Sequence, residues 1–215
     1  MIPKIIHQIW IGDQSKRPDN LIETWCEKNP TWEHMLWTDE NLPEIFNKPQ
    51  FDAMKELPGK ADILRYELLY NIGGMFIDAD AECLNPLDDF FVDNDSFCCW
   101  ENEYVRTGLM SNGYLGASKN NLLMQKLINR VGLIPTEILE SAPNLTAWKI
   151  TGPAFLTDTV KQSAYNQLRI YPSHYFIPRH YSGLEYNGNE KVYANQYWGS
   201  TETITGKMGM TYGLA

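Results

Sequence analysis

The sequence predicts an α/β domain built on a largely parallel sheet flanked by helices. Stretches with the composition of strands alternate with stretches of helical periodicity along most of the chain, and such alternation packs as a sheet covered by helices. The opening stretch, residues 5–11, is nearly continuous in apolar residues, the pattern of a strand buried on both faces. The 215 residues are 43% hydrophobic and 21% charged, which supplies apolar material for a core and excludes a disordered chain.

Each element has its own signal. After the first strand, Pro18 opens a helix through Leu21, Ile22 and Trp25 that Asn29-Pro30 stops. Residues 32–37 read as a second strand, followed by a cap at Thr38 or Asp39. A longer helix runs over about residues 60–72, and Gly73-Gly74 ends it. Residues 75–77 form a short strand, with Asp78-Ala79-Asp80 directly behind it. Residues 97–100 and 114–117 are further strands, and 121–131 is a helix. Another helix starts at Pro153, behind Thr151-Gly152. The last fifty residues, rich in Tyr, Pro, Gly and Asn, read as short strands and loops. Ligands of such sheets bind beyond the carboxyl ends of the strands.

Charge excludes some functions. There are 27 Asp and Glu against 18 Lys and Arg, a net charge of -9. The chain lacks the basic footprint of a nucleic-acid or anionic-membrane binder. It would also repel a polyanionic ligand unless a cation or a local arginine intervened. Cys26, Cys83, Cys98 and Cys99 form no C-x-x-C pair, which argues against zinc. Cys98 and Cys99 point to opposite faces of a strand. The cysteines read as free thiols in a reducing compartment. No leader precedes the first strand and no apolar run has the length of a membrane span, so the expected location is the cytoplasm.

Asp78 and Asp80 carry the chemistry. Residues two apart in extended chain face the same way, so both carboxylates can face one cation. Hard oxygen ligands suit Mg²⁺ or Mn²⁺, which also bind substrate phosphates. D-x-D is a short pattern that arises by chance, and Asp93-Asn94-Asp95 is a second copy. That copy precedes a strand and reads as a polar turn, whereas Asp78 and Asp80 stand at a strand's carboxyl end. On the preceding helix, Ala61, Leu64, Leu68 and Ile72 form an apolar stripe. Asp62 and Arg65, three apart, are neighbours on one surface. They are either an exposed ion pair or a pair in which Asp62 accepts sugar hydroxyls and Arg65 offers its fork to a diphosphate or a sugar oxygen. Trp10 ends the first strand, where it is either a core residue or a platform for a base.

The run Ala61-Asp62-x-x-Arg65-Tyr66-x-x-Leu69-Tyr70-x-x-Gly73-Gly74-x-x-x-Asp78-x-Asp80 resembles the signature of the "DXD" sugar transferases of glycosyltransferase family 32. These are similar to yeast mannosyltransferases, bacterial capsular sugar transferases, clostridial glucosylating toxins and glycosyltransferase domains of large algal viruses. Residues 2–12 resemble the family's first strand, and Trp25, Asn29-Pro30, Trp32, Leu36-Trp37 and Asp39 its second block. The resemblance implies a GT-A fold and transfer of a sugar from a nucleotide-diphosphate sugar, a UDP-sugar, to a hydroxyl of a glycan or glycoprotein, with retention. It implies that Trp10 stacks on the base and that Asp62 and Arg65 hold the donor sugar. Asp78 and Asp80 would bind the metal, with Mn²⁺ favoured over Mg²⁺. Asp78, Asp80 and Arg65 would form the catalytic set.

The resemblance continues more faintly. Ser111-Asn112-Gly113-Tyr114-Leu115-Gly116-Ala117 is similar to a strand whose Asn faces the donor, which adds Asn112 and Gly113 to the donor site; the alternative is a turn Asn. Thr151-Gly152-Pro153 is similar to a loop lining the site, or is a capped helix start. Tyr175-Phe176-Ile177-Pro178 is similar to a later structural block. Where many relatives place a metal-binding His near the C-terminus, this chain has Gln196, a weaker candidate ligand. His7, His174 and His180 read as structural or surface histidines. The expected organisation is one domain over residues 1–215. It has a nucleotide-sugar half at 1–110, an acceptor-side half at 111–203 and a tail or linker to a further domain at 204–215. Two rival functions fit an acidic pair: a metal-dependent phosphohydrolase and a non-catalytic nucleotide-sugar-binding module.

Overall fold

In the computed structural model, which describes residues 1–143 and 146–199, the chain forms eight strands and seven α-helices among the described residues. The strands are β1 (Ile5–Trp10), β2 (Glu33–Thr38), β3 (Gly74–Ile77), β4 (Ala81–Cys83), β5 (Ser96–Trp100), β6 (Met110–Ala117), β7 (Leu168–Tyr171) and β8 (Ala194–Gln196). The helices are α1 (Asp19–Lys28), α2 (Lys48–Ala53), α3 (Leu57–Asn71), α4 (Leu122–Gly132), α5 (Thr136–Ser141), α6 (Ala147–Ile150) and α7 (Pro153–Ser163). Six strands make one sheet in the order β2-β1-β3-β6-β5-β7, in which only β6 runs against the rest. The expected mixed α/β, mostly parallel sheet is therefore present. It runs through both of the expected halves, because β6 and β7 belong to it. The expected tail at 204–215 lies outside the described residues.

Reversal of β6 has a consequence for function. Its amino end, around Asn112 and Gly113, lies at the same sheet edge as the carboxyl ends of β1, β3 and β5. Asp78 N–H donates to Gly113 O at 3.0 Å, so the acidic pair leaves β3 against that end of β6. The small β4-β8 sheet then pairs Ala81 with Gln196, which brings the C-terminal region back beside Asp80.

Two apolar layers cover the sheet. One holds α3 with Leu64, Leu68 and Leu69 against Phe76, Cys98 and Leu115. The other holds Trp25 of α1 with Met75, Phe91, Phe97, Cys99 and Tyr114. Cys98 and Cys99 thus face opposite layers, as neighbours on a strand must. Cys26 is exposed and the other three cysteines are buried.

Helix α3 begins before residue 60, with Pro58 in its first turn, and ends at Gly73-Gly74, whose φ values of +80° and +112° an L side chain rarely adopts. Asp62, Arg65 and Glu67 are buried along with Leu64 and Leu68 of its apolar stripe. Glu67 accepts the N–H groups of Phe46 and Asn47 at 2.8 Å each. Those bonds place the entry to α2, a six-residue helix too short to show a period. Strands β4 and β8 have three residues each and also escape the sequence pattern. The expected helix cap at Thr38 or Asp39 is corrected: a turn follows, in which Asn41 Oδ1 accepts Thr38 N–H at 2.6 Å. Asp39 instead accepts Gly12 N–H at 2.8 Å and so ties the loop after β1. Asp95 of the second D-x-D serves structure, accepting from Ser118 and Asn121.

His7 is a satisfied core histidine. Its Nε2–H donates to Gly73 O at 2.8 Å, and its Nδ1 accepts Trp37 Nε1–H at 3.1 Å. Burial pushes its pKa down from 6.5 to about 4, so the folded state holds it neutral while the unfolded chain protonates it first. The folded-state pKa lies below the unfolded one, so this contribution is full above pH 6.5 and is lost as pH falls toward 4. Between pH 7 and pH 4 the native protein is therefore expected to lose about 3 kcal/mol more stability than a His7→Gln variant. Urea unfolding at both pH values checks this; parallel losses in the two proteins would contradict it.

Candidate active site

The acidic pair sits at the edge that the fold assembles. Asp78 follows β3 and remains about a third exposed. A Cβ on Gly113 would overlap its carboxylate, so a side chain there would displace Asp78 from this position. Asp80 is partly buried. Its Oδ1 accepts Gln196 Nε2–H at 2.8 Å and its Oδ2 accepts Gly199 N–H at 2.7 Å. Burial first, and the charge of Asp78 second, push the pKa of Asp80 up to about 6. The two carboxylates therefore share a region that is short of positive charge.

Arg65 supplies what positive charge there is. Its side chain is 5% exposed, as is about that much of Asp62. One terminal nitrogen lies 3.2 Å from Asp62 Oδ1 and 3.2 Å from Asp78 Oδ1. The other donates to Asn112 O at 2.6 Å, and the guanidinium lies 4.0 Å from the centre of the Phe76 ring. One side chain thus joins α3, the end of β3 and the start of β6. Asn112 closes the arrangement by donating to Asp62 Oδ1 at 2.8 Å. Thr151 Oγ1–H donates to Asp62 Oδ2 at 3.1 Å. Burial pushes Asp62 up to about 6, against the pull of Arg65 and these hydrogen bonds.

Several expected residues meet here and some take other roles. Arg65 contacts Asp62, Asp78 and Asn112, and Gly113 lies against Asp78, with Asp80 two residues along the chain. The reading of Asp62 and Arg65 as an exposed ion pair is corrected, since both are buried. The expectation that the Arg65 fork faces a diphosphate is also corrected: its nitrogens face Asp62, Asp78 and Asn112, which makes it a positioning residue. Gln196 is beside Asp80, but its oxygen accepts Tyr114 O–H at 2.7 Å and its nitrogen faces the carboxylate. As placed, it orients Asp80 as a donor and does not offer an oxygen to a metal. Thr151 does not cap α7, whose N-cap is Gly152; its hydroxyl serves Asp62. Trp10 is half-buried at the end of β1, and its Nε1–H donates to Asp13 O at 3.0 Å. His174 stacks on Tyr186, and His180 lies beside Glu101; neither reaches the acidic pair.

Sequence reading missed Tyr114, Gly199 and Trp198 as site residues. Trp198 has φ +58°, a costly conformation for a non-glycine residue, and it precedes the N–H that binds Asp80. Tyr114 points inward on β6, and only the pairing of β4 with β8 brings Gln196 to it.

The chemistry of the acidic pair suits one kind of cation site. No group of three His, Cys, Asp or Glu side chains surrounds a point among the described residues, so an all-protein cage is not formed there. Two carboxylates with remaining positions left to phosphate and water are the usual arrangement for Mg²⁺-type ions shared with a nucleotide. The residues present fit a divalent cation of that kind.

The sheet order and the site's position define a GT-A glycosyltransferase fold. The glycosyltransferase domain of PaToxG superposes with a TM-score of 0.57 at 19% identity, covering 75% of this chain and 70% of that one. The UDP-bound glycosyltransferase domain of the YGT toxin gives 0.54 at 12% identity, covering 79% of each. Residues 15–97 match the family described as the glycosyltransferase sugar-binding region containing DXD motif. It is 28% identical over 169 residues to inositol phosphoceramide mannosyltransferase 3 of Schizosaccharomyces pombe, covering 73% of this chain and 44% of that protein. It is 26% identical over 188 residues to an uncharacterized glycosyltransferase of Acanthamoeba polyphaga mimivirus, covering 83% and 74%. The chain spans about half the length of the first curated relatives it matches. No helix among the described residues is long and apolar enough to cross a membrane.

Arg65 and Asp62 are both buried, so removing one strands the other. Arg65→Met is expected to cost about 3–5 kcal/mol because it leaves Asp62 buried without its counter-charge. The double variant Asp62→Asn/Arg65→Met should recover part of that loss. Chemical denaturation of the three proteins tests the coupling; additive effects would contradict it.

Proposed function

We propose that this chain transfers a hexose from a nucleotide-diphosphate sugar, a UDP-sugar, to a hydroxyl of a glycan, glycoprotein or related acceptor, in a metal-dependent reaction with retention. The observation that carries the reading is the junction of Asp62, Arg65 and Asp78 at the carboxyl edge of the sheet, next to Asp80. Sequence similarity to DXD transferases supports the class of reaction, and a UDP-bound fold neighbour supports the donor. The fission yeast relative is named for mannosyl transfer to inositol phosphoceramide, which supports a hexose as the group moved.

Asp78 and Asp80 would hold a divalent cation, with Mn²⁺ favoured, which would supply Lewis-acid stabilisation of the charge left on the diphosphate. The chain's own residues do the rest. Trp10, at the end of β1, offers its ring to the base. Asp62 Oδ2 has one hydrogen-bond neighbour among the described residues and keeps a lone pair for a sugar hydroxyl. Arg65 fixes Asp62 and Asp78 relative to each other, so donor sugar and diphosphate are held in one frame. Gln196 and Gly199 N–H orient Asp80. No side chain is assigned as a covalent nucleophile: the acceptor hydroxyl attacks the anomeric carbon from the face that the leaving group vacates, the bond to the diphosphate oxygen breaks, and the hydroxyl proton passes to the departing diphosphate. A phosphohydrolase reading leaves the junction of Asp62 with Asn112 and Thr151 without a role.

Calorimetry with a panel of UDP- and GDP-sugars in Mn²⁺ tests the proposal. At least one UDP-sugar is expected to bind only when metal is present and to be hydrolysed slowly. Asp80→Ala should keep its fold by circular dichroism and lose metal-dependent binding. Failure of every donor to bind, or unchanged binding in Asp80→Ala, would refute the site. Metal-dependent binding with no turnover would leave a binding module.

A further inference from the structure

Beyond the donor site lies a rim that has no part in holding the sugar nucleotide. Arg106, on the connection between β5 and β6, donates from Nε and Nη2 to Tyr181 Oη at 2.9 and 2.6 Å. Its guanidinium lies 5.2 Å from the ring centre of Trp148. Glu101 lies on its inner side, 3.5 Å from Nε, too far for a strong charge-assisted bond. Nη1 has no hydrogen-bond partner among the described residues, and 37% of the side chain is exposed. Trp148 is exposed to the same degree. An arginine with an open edge between two aromatic rings stands out on a chain of net charge -9.

Both ends of this rim touch the site. A methyl group placed on Gly152 would meet Trp148 Cα at 2.8 Å and Asp62 Oδ2 at 3.1 Å, so the tryptophan backbone is within reach of the donor-sugar carboxylate. At the other end, Tyr181 packs edge-on against Trp198 at 5.0 Å. The next N–H, of Gly199, binds Asp80. The rim therefore runs from Asp62 round to Asp80. In the sheet, β1 with Trp10 lies on one side of β3, and β6 and β5 lie on the other. A donor whose base rests at Trp10 leaves the β5–β6 side for the second substrate.

We propose that Arg106, Trp148 and Tyr181 form the acceptor subsite, and that they select an acceptor whose hydroxylated ring carries an oxyanion, either soluble or on a lipid. The proposal rests on the donor reading above. Aromatic faces take the apolar side of a sugar or polyol ring, and the open guanidinium edge takes a phosphate or carboxylate, which it recognises in a plane as lysine does not.

Binding measured by calorimetry in saturating UDP and Mn²⁺ tests this with three probes: mannose 6-phosphate, methyl α-mannoside and inorganic phosphate. Mannose 6-phosphate is expected to bind at least about tenfold more tightly than either of the others, since it engages ring and anion together. Arg106→Gln should abolish that advantage, and Arg106→Lys should restore only part of it. Trp148→Ala should weaken mannose 6-phosphate. UDP affinity should not change in any of the three. Co-sedimentation with phosphatidylinositol vesicles against phosphatidylcholine vesicles separates the sources. Arg106-dependent binding to the former without soluble binding supports a lipid-borne anion. Equal affinity for mannose 6-phosphate and methyl α-mannoside, with no vesicle preference, overturns the proposal, as does an Arg106→Gln variant that binds like the native protein. If the native protein does not bind UDP, the donor reading fails and this one falls with it.

Discussion

A guanidinium buried to the extent of Arg65 has to be surrounded by acceptors, because its desolvation is repaid only by paired charge and hydrogen bonds. Those acceptors come from three elements: Asp62 on α3, Asp78 after β3 and Asn112 O on β6. Meeting that one demand fixes where a helix, a parallel strand and the reversed strand stand relative to one another. The two carboxylates are held in place before any ligand arrives. Asp80 depends on the same placement at one remove, through β4 and its pairing with β8.

This arrangement resolves the difficulty posed by the chain's acidity. A net charge of -9 should repel a diphosphate. Arg65 neutralises part of the local charge from below, while Asp78 keeps an exposed side toward a cation. The carboxylates outnumber the buried arginine, and burial together with the Asp78 charge makes Asp80 hold its proton more tightly than usual. A site in that state gains from a dication, and a dication in turn gains from phosphate oxygens. In the proposed function, the acidity would recruit an anionic donor through a shared ion.

Much of this was legible in the sequence, for reasons that can be stated residue by residue. The apolar run of β1, the Gly73-Gly74 stop and the position of Asp78 behind a short strand are local signals, and each corresponds to the structure. Asp62 and Arg65 were visible as helix neighbours, but their burial was not, because nothing in a helical period tells which polar pair lies inward. The direction of the Arg65 fork depends on Asn112, 47 residues away. The short elements α2, α5, α6, β4 and β8 carry too few residues to show a period. The role of Gln196 was hidden for a related reason: it depends on Tyr114, 82 residues distant, and on which end of an amide faces Asp80.

The central claim is that Arg65 is a fixed, buried link between Asp62 and Asp78. Side-chain nitrogen NMR of the Arg65 guanidinium tests it directly. Separate, slowly exchanging signals are expected for the two terminal nitrogens, as restricted rotation requires. Those signals are also expected to move in both Asp62→Asn and Asp78→Asn variants. A single averaged signal with the shift of a free arginine, unmoved by either substitution, would contradict it.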